Sequence, residues 1–303
     1  MIDKSNKKQY FLEYFKILIR KVKTGDLVSS GAMLAYFLLF SMFPFLMFFL
    51  NILAFLVEGR ESEIFRVLKF LPDNVISVIR PVIVSLINSS SGTLLSITLI
   101  IALWSGSNGI MKLIREINNA FGHEESRSFI KDRIISILFT IALSLILILM
   151  ISGRVFGNVI INAVYSFIGQ NEYIGILWNY FRSLVPLLFM VLVFTLLYKI
   201  APNRGPKTKI KLLDVIPGSI FTSFAWIILT IAFAYYVDNF GNYDRTYGSI
   251  GGIIVLMTWL YLSSMIMILG AYISSALIEV KNMKDYDKTI HASIKKTKKA
   301  RSH

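Results

Sequence analysis

GAMLAYFLLFSMFPFLMFFLNILAFLV, residues 31–57, contains no Asp, Glu, Lys, Arg or His. It exceeds the ~20 apolar residues that carry a helix across ~30 Å of hydrocarbon, and so reads as a membrane span. Five further apolar stretches follow at roughly 93–110, 134–152, 183–200, 215–237 and 250–278. The expected fold class is all-α: a polytopic membrane protein with six transmembrane helices plus interfacial amphipathic helices. Composition agrees, since 55% of the 303 residues are hydrophobic and the mean hydropathy of +0.64 is too high for a soluble domain of this length.

The basic residues orient the spans. Seven Lys and Arg precede the first stretch, four, five, two, five (counting Lys199 at the end of the fourth stretch) and one occupy the successive connections, and eight lie in the tail. An N-terminus in the cytoplasm places 25 of the 32 inside and 7 outside, so both termini are expected in the cytoplasm of a bacterial inner-membrane protein. The second span is the weak one, because Thr93–Trp104 gives way to Ser105, Gly106, Ser107, Asn108 and Gly109. Without it every later connection would change sides and the bias would reverse, so the span is expected to cross, shielded by neighbouring helices. The net charge of +14 follows from this positive-inside pattern, and nucleic acid is not expected as a partner.

Three regions follow: a cytoplasmic amphipathic N-terminal segment at 1–30, a six-helix membrane domain at 31–278 and a basic cytoplasmic tail at 279–303, expected to be disordered. In the first, Tyr10, Tyr14, Ile17, Leu18 and Val22 share a face against Lys16, Arg20 and Lys23, the pattern of a helix lying on anionic headgroups. The first long apolar run then acts as a signal anchor rather than a cleaved signal peptide. Gly31 and Ala35 offer close helix approach, and Pro44 predicts a kink. Residues 60–92 have helical spacing and read as short helices capping the outer side. In 110–133, Ile110, Leu113, Ile114 and Ile117 form one stripe, with Lys112, Arg115 and Glu116 expected on the polar face of another interfacial helix.

Function is less legible. The chain has no Cys, so a thiolate metal site and a disulfide framework are both excluded. The spans carry no ionisable residue away from their ends, which lowers the expectation of ion-coupled transport. Pro44, Pro186 and Pro217 lie where an alternating-access protein would bend its helices, although kinks occur in static bundles too.

Four stretches in order resemble the YihY/BrkB family of bacterial inner-membrane proteins, some members of which once carried a ribonuclease label. They are residues 31–55, the run LWSGSNGIMKLIREINNAFGHEESRSFIKDR after the second span, APNRGPK with PGSIFTSFAW around the fifth, and NFGNYDRTYGSIGGIIVLMTWLYLSSMIMILGAYISSAL. The resemblance implies an all-helical inner-membrane fold to which transport, virulence and envelope-lipid roles have been attached. Many relatives read GAELNA where this chain has Gly270, Ala271, Tyr272, Ile273, Ser274 and Ser275, so Tyr272 replaces their acid. No proton or cation role of that carboxylate transfers here.

The expected function is movement or handling of a lipid or other amphiphile; a non-transporting scaffold or assembly partner is the alternative. Substrate-path candidates are Ser41, Pro44, Asn51, Ser105 and Asn108, which would line a cavity or lateral groove. Arg127, Lys131 and Arg133 are headgroup candidates, with ion pairing to Glu124 or Glu125 as the competing reading of Arg127. The outer loop offers Asn239, Asn242, Tyr243 and Tyr247 as a gate, although its Gly and Asn content equally suits a structural hairpin. Expected partners are membrane lipids, above all anionic headgroups, with a homo-oligomer or an envelope protein also open. No cofactor, metal or catalytic residue is assigned. A ribonuclease would need clustered carboxylates or a His acid/base pair, and the three histidines, His123, His291 and His303, form no such cluster.

Overall fold

The computed structural model describes residues 4–56, 92–122, 128–155, 161, 165–166, 169, 172–203, 210–240 and 250–300. Seven helices occupy them: α1 (Lys4–Thr24), α2 (Leu27–Leu56), α3 (Gly92–Ala120), α4 (Phe129–Val155), α5 (Glu172–Ile200), α6 (Leu212–Phe240) and α7 (Ile250–Ala300). The six apolar stretches fall one to a helix in α2 to α7. Each of those helices has at least 27 residues, enough at ~1.5 Å per residue to cross a bilayer. Among the described residues, length and hydropathy together mark two of them as candidate spans, Leu212–Val237 and Gly251–Asp287. A third is added if Gln9–Thr24 and Leu27–Met42, bent by 57° at their junction, count as one.

Neighbouring helices run antiparallel. Ser30 meets Glu116 and Leu38 meets Gly109 between α2 and α3; Gly25 meets Tyr272 and Gly31 meets Met265 between the α1–α2 junction or α2 and α7. In α6 and α7, Val215 meets Ser274 and Thr230 meets Trp259. Gly31 and Ala35 permit the close approach expected of them, with Ala35 fully buried. α2 continues through Pro44.

The core joins Leu34, Leu113, Ile117, Phe194, Leu197, Tyr198, Val215 and Ile268. Hydroxyls are buried beside it: Thr195 and Ser219 share a hydrogen bond of 2.6 Å, while Tyr198 bonds to Thr222 at 2.8 Å and donates to the Met267 carbonyl at 2.6 Å. Several others return to the carbonyl one turn back, as Ser136, Thr140 and Ser223 do, which satisfies a polar group without any aqueous contact. Gly218 and Gly270 bring α6 and α7 together so tightly that a Cβ on Gly218 would overlap the Ser274 hydroxyl and the Gly270 carbonyl. Small residues with hydroxyls are the means by which apolar helices associate when lipid competes for every apolar surface.

The outer surface is apolar in stripes. On α6, Leu213, Ile220, Phe224, Ile228, Ile231 and Tyr235 are exposed at helical spacing, and Leu184, Leu188, Leu192 and Leu196 do the same on α5. Patches of this extent are untenable in water and natural against acyl chains.

Two expectations need correction. Residues 110–120 are not a separate interfacial helix but the core-buried end of α3, with Leu113 at 1% and Ile117 at 0% exposure. The apolar stripe of the span runs on unbroken, so tertiary burial prolongs the helix until Gly122, at φ 71°, turns the chain. Nor is the tail after residue 278 irregular through its described part, since α7 runs on to Ala300. That segment holds no Gly or Pro to stop a helix, and α1 gives it a partner. The outer helices expected within 60–92 lie largely outside the described residues.

Candidate functional site

Helix α1 ends at Thr24, and Gly25 with Asp26 turns the chain into α2. Asp26 holds φ at 46°, a left-handed value that costs most residues strain and that Asp tolerates. Its carboxylate accepts the Ser29 amide at 3.4 Å. Gly25 faces Tyr272 of α7, whose phenol donates to the Gly25 carbonyl at 3.1 Å. A side chain at residue 25 would overlap that phenol, so the absence of a Cβ is what admits the tyrosine at position 272.

One turn further, the Ser30 hydroxyl donates to Glu116 Oε2 at 2.7 Å. Glu116 is 9% exposed and, among the described residues, has no cationic partner. The sequence placed it on the polar face of α3; it lies inward. Ala120, at the end of α3, offers its carbonyl to the Ser275 hydroxyl at 2.7 Å and to Lys21 Nζ at 3.4 Å. Arg20 and Lys21 both bind Glu279, at 2.6 and 3.1 Å.

These groups enclose a cleft of about 560 Å³ between the α1–α2 junction, the end of α3 and the middle of α7. Two cations, Arg20 and Lys21, and two carboxylates, Asp26 and Glu116, line it together with Thr24, Asn119 and Tyr272. Beside it the α5 terminus closes the bundle, where the Asn203 amide donates to Asn118 Oδ1 at 2.6 Å and Ala201 and Pro202 are buried. The chemistry available is binding: fixed charges of both signs, with hydroxyl and carbonyl groups between them. Among the described residues no group of three or more His, Cys, Asp or Glu is placed to hold a metal ion.

α1 is also clasped to the extension of α7. Tyr10 donates to Asp287 Oδ2 at 3.0 Å, and Lys284 Nζ sits 5.8 Å from the Tyr10 ring centre. The Asp287 carboxylate that accepts its proton holds the Tyr10 phenol above its ordinary range.

The sequence candidates lie elsewhere. Ser41 turns its hydroxyl back to the Leu38 carbonyl at 2.8 Å, Pro44 and Ser105 are half-buried, and the side chain of Asn51 lies outside the described residues. Asn108 accepts Arg133 Nη1 at 2.7 Å, while Arg133 Nη2 donates to the Trp104 carbonyl at 2.9 Å. Arg133, named for headgroups, is thus 6% exposed and spends its guanidinium within the bundle. Lys131 is exposed in the first turn of α4; Arg127 lies outside the described residues. Asn239 is exposed at the end of α6 and donates to the Tyr235 carbonyl, and Asn242, Tyr243 and Tyr247 lie outside the described residues. Among the described residues, none of these candidates lines the cleft. Sequence reading singled out Tyr272 but missed Asp26, Ser30 and Glu116. The available signal was the stripe itself, since Glu116 is one turn beyond Leu113 and one turn short of Ala120, both in the core.

A family model described as virulence factor BrkB matches residues 18–293. The chain is 38% identical over 274 residues to the ribonuclease-like protein YfkH of Bacillus subtilis (strain 168), covering 90% of this chain and 98% of that one. It is 27% identical over 277 residues to a UPF0761 membrane protein of Alteromonas mediterranea, covering 88% of each. A UPF0761 membrane protein of Aeromonas salmonicida is 35% identical over 111 residues, 37% of each chain. No solved structure matches.

Proposed function

The chain belongs to the virulence factor BrkB family and is similar to UPF0761 membrane proteins, and from that premise we propose that it binds and moves, or presents, a lipid or other amphiphile at the cleft. We place it in the bacterial cytoplasmic membrane, with α2 to α7 as six spans and both termini in the cytoplasm. The carrying observation is the juxtaposition of a mixed-charge cleft with helices whose outward faces are apolar. A molecule with a charged head and an acyl body meets both surfaces at once. The excess of basic residues in the segments that contribute to this end supports a cytoplasmic placement.

The test is photo-crosslinking of the reconstituted full chain with a phospholipid carrying a diazirine near its headgroup. Labelled peptides should include Thr24–Ser30 and Glu116–Ala120. Labelling confined to the outer stripes of α5 and α6 would reject the cleft as a lipid site.

The scaffold reading draws on a different observation, the close packing of α5, α6 and α7 around Gly218, Gly270 and Tyr198, which leaves that half little room to open. A chain that crosslinks no headgroup and captures a second copy or an envelope protein would favour it. The ribonuclease-like name belongs to the Bacillus relative; we assign this chain no enzymatic activity. Purified protein free of host nucleases should leave transfer RNA precursors intact in Mg²⁺, Mn²⁺ or Zn²⁺.

A further inference from the structure

The charges of the cleft are unequally matched. At its rim Arg20 and Lys21 share a single carboxylate, Glu279, so one positive charge is left over. Deeper, Glu116 is buried with a serine hydroxyl as its hydrogen-bond partner, while Asp26 is exposed and accepts a backbone amide; neither has an ion pair among the described residues. A buried carboxylate without a counter-charge is costly, because its lost hydration is repaid by one neutral hydrogen bond alone. A ligand that brings a cation inward relieves that cost, and the surplus at Arg20 and Lys21 calls for an anion on the same ligand nearer the rim.

We infer that the cleft selects a zwitterionic headgroup, an ammonium joined to a phosphodiester as in phosphatidylethanolamine. The ammonium binds Glu116 and Asp26, and the phosphate draws Arg20 and Lys21 away from Glu279. The inference rests on the lipid-handling reading and names the headgroup class for that same site. The volume of about 560 Å³ falls within the ~300–1,000 Å³ of small-molecule sites and exceeds a phosphoethanolamine group, leaving room for the glycerol and for water. A primary ammonium also donates three hydrogen bonds, for which Glu116, Asp26 and Asn119 carry side-chain acceptors among the lining residues, whereas a trimethylated one donates none. An anionic glycerol headgroup supplies the phosphate without the cation and leaves Glu116 as it was.

The experiment uses the full chain purified in detergent and equilibrated with equal amounts of phosphatidylethanolamine, phosphatidylglycerol and phosphatidylcholine of one acyl composition. Lipids retained through mild delipidation are counted by native mass spectrometry. Phosphatidylethanolamine should be retained about tenfold over each of the others, the order of ratio expected for one buried charge pair. Glu116→Gln should abolish that preference. Asp26→Asn, at an exposed turn where Asn also tolerates the left-handed backbone and can still accept the Ser29 amide, should reduce it, and Arg20→Gln should weaken retention of phosphatidylethanolamine and phosphatidylglycerol alike. Equal retention of all three lipids, or an unchanged preference in Glu116→Gln and Asp26→Asn, overturns the inference while leaving lipid handling in place. Retention of no lipid overturns both. Competition by soluble glycerophosphoethanolamine at the affinity of the lipid would assign the site to the free headgroup and overturn the membrane lipid as its source.

Discussion

The guanidinium carbon of Arg133 lies 3.5 Å from the centre of the Trp104 ring, and the same guanidinium donates to Asn108 and to the Trp104 carbonyl. One side chain of α4 thereby covers the small polar run that makes the second apolar stretch the weakest. Arg133→Met should destabilise the fold by about 2–4 kcal/mol, combining lost charged hydrogen bonds with a lost cation–π contact. Arg133→Lys should fall between, since an ammonium keeps the charge but not the planar fork. Thermal unfolding in one detergent would decide, and a neutral Arg133→Met would show that Asn108 needs no partner.

Gly25 should be intolerant of any side chain. Gly25→Ala drives a methyl into the Tyr272 phenol, at an expected cost of about 1–3 kcal/mol. Tyr272→Ala in the same chain should recover part of it, with the remainder owed to crowding against the Lys21 carbonyl at 2.9 Å. Additive losses in the double-mutant cycle would contradict the contact.

Gly270→Ala should be as costly, about 1–3 kcal/mol, because its methyl overlaps the Thr222 hydroxyl at the tightest point between α6 and α7. Gly252→Ala on the same helix meets nothing within 4 Å and should be neutral or slightly stabilising. Melting temperatures of the two variants separate a packing role from a general intolerance of change in α7.

The α1 clasp should respond to charge and to alkali. Arg20→Glu should release α1 from α7, and Arg20→Glu with Glu279→Arg should return it, read as the distance between spin labels at Lys16 and Lys284. Tyr10 is held protonated by Asp287, so its folded-state pKa is raised. Its contribution is therefore complete below the ordinary phenol range near ~10 and is lost as pH climbs through the raised value. Tyr10→Phe should remove that alkaline step, and an alkaline step that survives the substitution would assign it to another group.

Reporter fusions check the orientation of the six spans. Fusions after Val75, Tyr165 and Tyr243 should report outside, and those after Ala120, Lys207 and Ile290 inside. An inside signal at Val75 would overturn the assignment built on the basic residues.

Hydropathy and basic-residue bias are local sums, and for that reason residues 31–57 and the five stretches after them were legible as helices before any contact was known. The four stretches that carry the family resemblance were legible in the same way. Which face of a helix turns inward is a different quantity, decided by neighbours distant in sequence. Glu116 reads as a surface residue until Ser30 of α2 reaches it, and Arg133 reads as a headgroup contact until Trp104 and Asn108 of α3 take its donors. Tyr272 stood out as a departure, yet only Gly25, far away along the chain, explains how it fits. The basic tail carried no apolar periodicity of its own, and its helix persists where α1 supplies Arg20 and Tyr10 as partners. The cleft follows from the same cause, since its lining residues come from four helices and meet only when antiparallel packing brings the ends of α1 and α3 and the start of α2 against the middle of α7.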